Sequence, residues 1–313
     1  MYLLKDFGSF HVGGRFVEVK GKPKRTVWFT EQTSHQQDPN GKFLIEQVYV
    51  QYFIPEKLKF KYPLVLLHGG GLTGACWETT PDGRPGWLHE FLSQGFAVYV
   101  IDNVERGRSG FCALEGVWDG EPIPRTLKEA WDIFRFGSPE GFESGTAFVG
   151  QRFPLAFMES FQRQFVPRWT STSDAQIRGV GAALRKIGPS VLLCHSQGGF
   201  LGSRAAVENS DVVRGVICAE ASGWPKLEDI TFDKVGGKPW LVLLGDFIEE
   251  SKRWSEAKEE TKIVCEQINL VGGKAELVSL PDVGFNGATH MFMMDEHSSE
   301  IASWIGSWIK SSC

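Results

Sequence analysis

The sequence predicts an α/β protein with a mostly parallel central sheet that follows a set of antiparallel N-terminal strands. From residue 64 onward, short continuous apolar runs alternate with helix-like stretches, which is typical of parallel strands buried on both faces. The first 60 residues instead carry β-rich alternating runs between Gly, Pro and Asn turn signals, as antiparallel strands do. No repeat of fixed period and no low-complexity segment interrupts this order.

The composition is that of an ordinary globular chain. Its 313 residues are 42% hydrophobic and 23% charged, with a net charge of -5. These values exclude a disordered, collagen-like or coiled-coil protein, and they argue against nucleic acid or an anionic membrane as partners. The length fits one large α/β domain or two smaller ones, and we expect a single domain over residues 1–313.

The elements can be placed in chain order. N-terminal strands are expected at Arg15–Val19, Thr26–Thr30 and Val48–Phe53. Buried strands are expected at Leu64–Leu67, Ala97–Ile101, Val191–Cys194, Gly215–Ala219, Trp240–Leu244 and Glu276–Leu280. Helices are expected at Gly86–Ser93, Asp174–Lys186, Phe200–Asn209, Glu256–Leu270 and Glu300–Lys310. The strand, helix, strand order implies parallel neighbours.

Residues 119–174 break this rhythm, because they contain no clear strand. We expect them to form a cap inserted into the domain. The segment is rich in aromatic residues, most of which should pack it onto the sheet while some line a pocket. They are Trp131, Phe134, Phe136, Phe142, Phe148, Phe153, Phe157, Phe161, Phe165 and Trp169.

An apolar strand over residues 190–195 runs into Ser196 and then into a helix pattern. This is the pattern of a nucleophile elbow, in which a strained turn presents a serine and small residues two positions away let strand and helix pass closely. Gly198 meets this requirement after the serine, and Cys194 stands where glycine is usual before it. A serine between a strand and a helix also fits a simple N-cap.

A glycine-rich loop follows the first buried strand, with the sequence His68-Gly69-Gly70-Gly71. Glycines in such a loop let backbone N–H groups face a developing oxyanion. We expect the N–H groups of Gly70 and Gln197 to form an oxyanion hole, and His68 to be structural. A phosphate-binding loop is the alternative, but no GK[ST] sequence follows.

The candidate base is His290, in a glycine-containing loop between the last strand and the C-terminal helix. The residues alone do not decide which carboxylate is the acid that orients the histidine. Glu220 follows the strand Gly215–Ala219, and Asp246 follows the strand Trp240–Leu244, so that either carboxylate could reach a histidine.

Four segments, at residues 68–87, 194–199, 245–254 and 289–295, together resemble a small family of the α/β-hydrolase superfamily that is typified by a bacterial carboxylesterase. The resemblance implies the α/β-hydrolase fold and a triad of Ser196 as nucleophile, His290 as base and Glu220 as acid, with Asp246 as the alternative acid. It implies a serine hydrolase that forms an acyl-enzyme from a carboxylic ester or lactone, and the aromatic cap suggests a small to medium hydrophobic substrate. The sequence differs from the bacterial esterase at Gly70 and Gly71, where that enzyme has a more substituted pair.

Two other functions stay open. The same residues could perform carbon–carbon hydrolysis or a cyclisation in secondary metabolism, and a non-catalytic relative could bind a ligand on the same fold. Such a relative would usually lack a triad member.

The expected partner is a small molecule, and a homodimer is left open. No cofactor or metal is required by the triad, and the six cysteines are scattered without metal-ligand spacing. The N-terminus shows no export signal, and the apolar runs fall short of the roughly 18 residues needed to cross a bilayer. We therefore expect a cytoplasmic protein with no membrane partner.

Overall fold

The computed structural model describes residues 3–226, 234 and 236–313. The strands in this part of the chain are β1 (Leu4–Val19), β2 (Arg25–Trp28), β3 (Ser34–Gln37), β4 (Gly41–Pro55), β5 (Leu64–Leu67), β6 (Val98–Asp102), β7 (Ser190–Ser196), β8 (Val213–Ala221), β9 (Pro239–Leu244) and β10 (Lys274–Ser279). The α-helices are α1 (Trp87–Gln94), α2 (Leu127–Ile133), α3 (Met158–Gln162), α4 (Ser173–Ile187), α5 (Gln197–Glu208), α6 (Lys252–Leu270) and α7 (Ser298–Ser312).

Eight strands form one sheet in the order β1-β4-β6-β5-β7-β8-β9-β10. The pairs from β6 to β10 are parallel, whereas β1 pairs with β4 and β4 with β6 in antiparallel fashion. This confirms the predicted mostly parallel sheet with antiparallel N-terminal strands. The short strands β2 and β3 form a separate hairpin, and β3 was not predicted because its sequence is entirely polar.

The sheet separates two hydrophobic cores. Along β5, Leu64 and Leu66 face the core that contains α1 and α7, while Val65 and Leu67 face the core that contains α4, α5 and α6. Successive residues of a strand point to opposite faces, so burial of both faces requires an unbroken apolar run. This is why the central strands could be recognised in the sequence.

The segment between β6 and α4 contains the two short helices α2 and α3 and much irregular backbone. Phe136, Phe153 and Phe161 of this segment are buried in the same core as α1 and α7, whereas Phe157 is 43% exposed. Helices α2 and α3 have only 7 and 5 residues, too few for a helical period to be visible in the sequence. No helix among the described residues combines the length and the hydrophobicity needed to span a bilayer.

Helix α5 crosses strand β7 unusually closely. A Cβ atom added to Gly202 of the helix would lie 3.1 Å from the Sγ atom of Cys194 on the strand. A Cβ atom added to Gly199 would lie 2.5 Å from the Cβ atom of Ala221 on β8. The cysteine that replaces the usual glycine of the elbow is therefore accommodated because the helix residue opposite it has no side chain.

This packing predicts a coupled effect of two substitutions. We expect Gly202→Ala to lower the free energy of unfolding by about 1 kcal/mol, because the added methyl group overpacks the contact with Cys194. In a Cys194→Gly background the same change should be neutral or should stabilise by up to about 1 kcal/mol, because alanine favours a helix over glycine. Urea unfolding of the wild type, the two single variants and the double variant measures this coupling. An equal loss of unfolding free energy on Gly202→Ala in both backgrounds would contradict the proposed contact with Cys194.

Candidate active site

Ser196 lies at the turn between the end of β7 and the start of α5. Its backbone has φ 54° and ψ -121°, a conformation that residues other than glycine adopt only under strain. A Cβ atom added to Gly198 would lie 2.6 Å from the carbonyl oxygen of His68, so only glycine fits two positions after the serine. The local geometry is that of a nucleophile elbow, which distinguishes it from an ordinary N-cap.

His290 is paired with Glu220. The Nδ1 atom of His290 lies 2.7 Å from Oε1 of Glu220, and both side chains are fully buried. Glu220 is near the end of β8, next to β7 in the sheet, and His290 lies in the loop that follows β10. Two residues 70 positions apart in the chain thus meet at the carboxyl edge of the sheet.

Asp246, the other candidate acid, has different partners. Its Oδ1 atom accepts a hydrogen bond of 2.8 Å from the N–H of Phe247, and its Oδ2 atom accepts one of 2.8 Å from the N–H of Gly287. Gly287 belongs to the loop that carries His290. Asp246 therefore holds the backbone of this loop and does not contact the imidazole through a hydrogen bond.

Arg135 is the second partner of Glu220, and no sequence motif identified it. Its Nη1 atom donates to Oε1 of Glu220, and its Nη2 atom donates to Oε2 at 2.9 Å. The N–H of Gly245 also donates to Oε2, at 2.5 Å. Burial raises the pKa of Glu220, but the charge of Arg135 and the hydrogen bond with His290 outweigh this effect and lower the pKa to about 2. Glu220 is consequently ionised at neutral pH.

The imidazole of His290 is enclosed by aromatic rings. It stacks on Phe134 with the ring centroids 5.4 Å apart, and Trp254 lies at 4.4 Å on a tilted plane. Burial lowers the pKa of His290 to about 4; the charges of Arg135 and Arg125 act in the same direction, and Glu220 opposes them. The imidazole is therefore neutral at pH 7.

The Nε2 atom of His290 is buried and has no hydrogen-bond partner among the described residues. A bond from Ser196 to this atom is thus not formed in the structure. Contacts between a nucleophile and its base are often long without substrate and tighten when substrate binds. The free Nε2 atom is available to accept a proton.

The backbone around His290 is held by two polar residues that the sequence patterns did not single out for this role. His195 Nε2 donates to the carbonyl oxygen of His290 at 2.9 Å. Asp295 accepts hydrogen bonds from the N–H group of Thr289, at 2.7 Å, and from its hydroxyl, at 2.8 Å. Burial raises the pKa of Asp295 to about 7. These contacts restrict the position of the imidazole.

The glycine-rich loop lies against the elbow. A Cβ atom added to Gly70 would lie 2.7 Å from the Oε1 atom of Gln197, so the two residues expected to bind an oxyanion are neighbours. His68 Nε2 accepts from the N–H of Asn103 at 3.1 Å, and its Nδ1 is 2.8 Å from the carbonyl oxygen of Gly69. Burial lowers the pKa of His68 to about 4, which suits a neutral structural residue.

Two further arginines reach this loop from residues 119–174. A Cβ atom added to Gly71 would lie 3.4 Å from Nη1 of Arg168 and 3.5 Å from Nε of Arg125. Neither arginine stands in a motif or a periodic pattern, so the sequence contains no signal that marks them. Their position next to the glycine loop comes from the fold of the segment.

A serine at a strained turn, a buried imidazole oriented by a carboxylate and a glycine loop form the set of groups that nucleophilic acyl transfer requires. The first turn of α5 adds backbone N–H groups that have no partner within the helix. Among the described residues, no three His, Cys, Asp or Glu side chains are grouped so as to bind a metal ion.

The buried pair leads to a prediction about stability. Arg135→Met should lower the free energy of unfolding by about 3–5 kcal/mol, because it leaves the Glu220 charge buried without its cation. Arg152→Met is the matched control, since Arg152 pairs with Glu296 at the surface, with side chains 52% and 61% exposed. The control should cost less than about 1 kcal/mol in a denaturant titration. Equal costs would show that the Glu220 charge is compensated without Arg135.

Comparison with known proteins agrees with this geometry. Residues 64–262, more than half of the chain, match the model of the Alpha/beta hydrolase family. A solved structure of a novel bacterial esterase is 33% identical, covers 100% of this chain and 97% of its own, and superposes with a TM-score of 0.87. A probable secreted lipase (phiG) of a fungal species (strain ATCC 74256) is 26% identical over 324 residues, which cover 86% of this chain and 87% of that protein. The predicted α/β-hydrolase fold is thereby confirmed, and the chain is a hydrolase-fold enzyme of the Alpha/beta hydrolase family.

Proposed function

We propose that this protein is a serine hydrolase that cleaves a carboxylic ester or lactone of small to medium hydrophobic character. The observation that carries the proposal is the 2.7 Å bond between His290 and Glu220 at the sheet edge where the elbow presents Ser196. The similarity to an esterase and to a probable lipase supports the same class of reaction.

In the proposed reaction, Nε2 of His290 takes the hydroxyl proton of Ser196 while Oγ attacks the ester carbonyl. The N–H groups of Gly70 and Gln197 bind the oxyanion of the tetrahedral intermediate. When this intermediate collapses, the C–O bond breaks and the imidazolium of His290 gives its proton to the leaving alcohol. A water molecule then loses a proton to His290 and attacks the acyl-enzyme. When this second intermediate collapses, the bond between the acyl carbon and Oγ breaks, and His290 gives its proton to Oγ, which releases the acid and restores Ser196.

Glu220 and Arg135 have separate roles in this proposal. Glu220 orients the imidazole through Nδ1 and stabilises the imidazolium that forms during each step. Arg135 does not reach the reacting atoms. It keeps Glu220 ionised and fixes its rotamer through two hydrogen bonds, and is therefore a positioning residue.

We also propose that residues 119–174 act as a cap over this site. Three contacts support this assignment. Phe134 stacks on His290, the N–H of Val166 donates to the carbonyl oxygen of Gly71 at 3.0 Å, and the N–H of Arg152 donates to the carbonyl oxygen of Gly287 at 3.0 Å. The segment thus contacts both the base and the glycine loop, and its aromatic residues suit a hydrophobic substrate.

We propose the cytoplasmic location expected from the sequence, in contrast to the fungal relative, which is named a probable secreted lipase. Cys194 and Cys218 are buried on neighbouring strands with their Sγ atoms 3.8 Å apart and are free thiols. Buried free thiols suit a reducing compartment.

Substitution of the triad tests the function. Ser196→Ala should lower kcat for 4-nitrophenyl butyrate by about 10^4–10^6-fold, and Glu220→Gln by about 10^4-fold through the wrong imidazole tautomer. Asp246→Asn should cost less than about tenfold, since Asp246 bonds only backbone N–H groups. A larger loss in Asp246→Asn than in Glu220→Gln would reverse the choice of acid. Full activity of Ser196→Ala would rule out the proposed mechanism.

The pH profile gives a second test. The base acts only when neutral, so activity is present above its pKa and is lost as the pH falls through it. Because the pKa of His290 is lowered to about 4 from an ordinary value of 6.5, the acid limb of kcat/KM should have its midpoint well below pH 6.5. Recovery of activity after return to pH 7.5 separates this effect from acid unfolding. A reversible midpoint at or above pH 6.5 would contradict the environment described for His290.

A further inference from the structure

Two arginine side chains from residues 119–174 converge beside the glycine loop. The backbone around them is fixed, because the N–H of Ile123 donates to the carbonyl oxygen of Arg168 at 2.7 Å and the N–H of Arg168 donates back at 3.2 Å. Together with the bond from Val166 to Gly71, this isolated antiparallel bridge holds the backbone near both arginines against the loop. The backbone from which both arginine side chains extend is therefore held beside the glycine loop.

Neither guanidinium has its hydrogen-bonding capacity satisfied. The side chain of Arg125 is only 6% exposed, and its buried Nε and Nη1 atoms have no hydrogen-bond partner. Glu129 lies 3.3 Å from Nη1 but does not form a hydrogen bond, and it is 36% exposed. The buried Nη1 atom of Arg168 also lacks a partner, and no carboxylate in the described part of the chain forms an ion pair with Arg168.

Positive charge exceeds negative charge around Arg125 and Arg168. Burial and the neighbouring charge of Arg168 lower the pKa of Arg125 to about 10, which still leaves it cationic at neutral pH. Arg106 is a further cation near Arg168, but it has Glu105 as a partner at 3.3 Å. A guanidinium whose buried N–H groups have no acceptor is costly, and a second cation beside it adds to the cost. An anion supplied from outside the chain would relieve this cost.

The arginine pair adjoins the reacting groups. A Cβ atom added to Gly70 would lie 3.5 Å from Nε of Arg168 and 2.7 Å from Oε1 of Gln197, so Arg168 approaches the proposed oxyanion hole. The guanidinium carbon of Arg125 is 5.0 Å from the ring centroid of Phe134, and the same ring stacks on the imidazole of His290. An anionic group held by the pair would belong to the same small molecule that meets Ser196.

We propose that Arg125 and Arg168 form a carboxylate subsite, and that the substrate is a hydrophobic ester or lactone that carries one carboxylate. Planar guanidinium groups match the two oxygens of a carboxylate and can bind it through paired hydrogen bonds. The inference rests on the proposed ester hydrolysis and narrows its substrate class. The carboxylate can lie in the acyl part, as in the half-ester of a dicarboxylic acid, or in the alcohol part.

Two pairs of esters test the subsite and distinguish these sources. For the acyl side, 4-nitrophenyl hydrogen glutarate is compared with 4-nitrophenyl pentanoate, which has the same chain length without the carboxylate. For the alcohol side, 4-acetoxybenzoate is compared with its methyl ester. We expect the wild-type enzyme to prefer the carboxylate member of one pair by at least about tenfold in kcat/KM, chiefly through KM.

Substitutions assign this preference to the two arginines. Arg125→Gln and Arg168→Gln should each lower the preference ratio by about tenfold or more, and Arg168→Lys should retain part of it because the charge remains. Arg163→Gln is the matched control from the same segment, since Arg163 is 71% exposed and pairs with the exposed Glu159. It should leave the ratio unchanged.

Competitive inhibition of the wild-type enzyme gives a readout that does not depend on the folding of a variant. Glutarate should inhibit the hydrolysis of 4-nitrophenyl pentanoate at a concentration at least about tenfold lower than dimethyl glutarate does. Turnover of the neutral esters without any carboxylate preference or glutarate inhibition would overturn the subsite and leave the esterase function standing. If wild type hydrolyses none of the four esters and Ser196 does not react with a fluorophosphonate, the proposed function fails, and with it the substrate class inferred here.

Discussion

The buried ion pair between Glu220 and Arg135 is the interaction on which the site depends. Their side chains are 0% and 1% exposed, so either charge without the other would strongly destabilise the folded protein. The pair joins three parts of the chain, because Arg135 follows α2, Glu220 lies near the end of β8, and Arg135 Nε also donates to the carbonyl oxygen of Asp246 at 2.8 Å after β9. Loss of this contact would leave the Glu220 charge buried without its cation and would remove one of the bonds that tie residues 119–174 to the sheet.

Two residues at the carboxyl edge of the sheet have strained backbone conformations, and the parallel strands β7 and β8 hold them in place. Ser196 and Glu220 both have positive φ values, 54° and 50°, at the ends of adjacent strands. The N–H of Ser222 donates to the carbonyl oxygen of Ser196 at 3.1 Å, so the two strained turns are tied to each other beyond the regular ladder. The energy of these conformations is offset by the packing of β7 and β8, which are buried on both faces. The rigid sheet thus presents both side chains in fixed directions.

Residues 119–174 contribute arginines with different partners to this region. Arg135 is satisfied by Glu220 and acts on the imidazole only through that carboxylate. Arg125 has only the partly exposed Glu129 at 3.3 Å, the buried Nη1 atom of Arg168 has no partner, and both arginines lie next to the glycine loop. Burial of His290, together with the charges of Arg135 and Arg125, lowers the pKa of the imidazole to about 4. The positive charges of Arg125 and Arg168 also attract an anionic group. Residues 119–174 therefore help to lower the pKa of His290 and supply positive charge next to the glycine loop.

The sequence by itself determined the central sheet, because β5 to β9 are buried on both faces and appear as continuous apolar runs, and it located the turn at Ser196 and the loop of His290. It left the choice between Glu220 and Asp246 to the family resemblance, since both follow strands that end at the same edge. Only the tertiary structure decided which carboxylate bonds the imidazole, because this depends on the direction of side chains that leave neighbouring strands. The roles of Arg135, Arg125 and Arg168 were likewise decided by the fold. Burial and partners define these roles, and the contact of Arg135 with Glu220 spans 85 residues of chain, so no local pattern carries them.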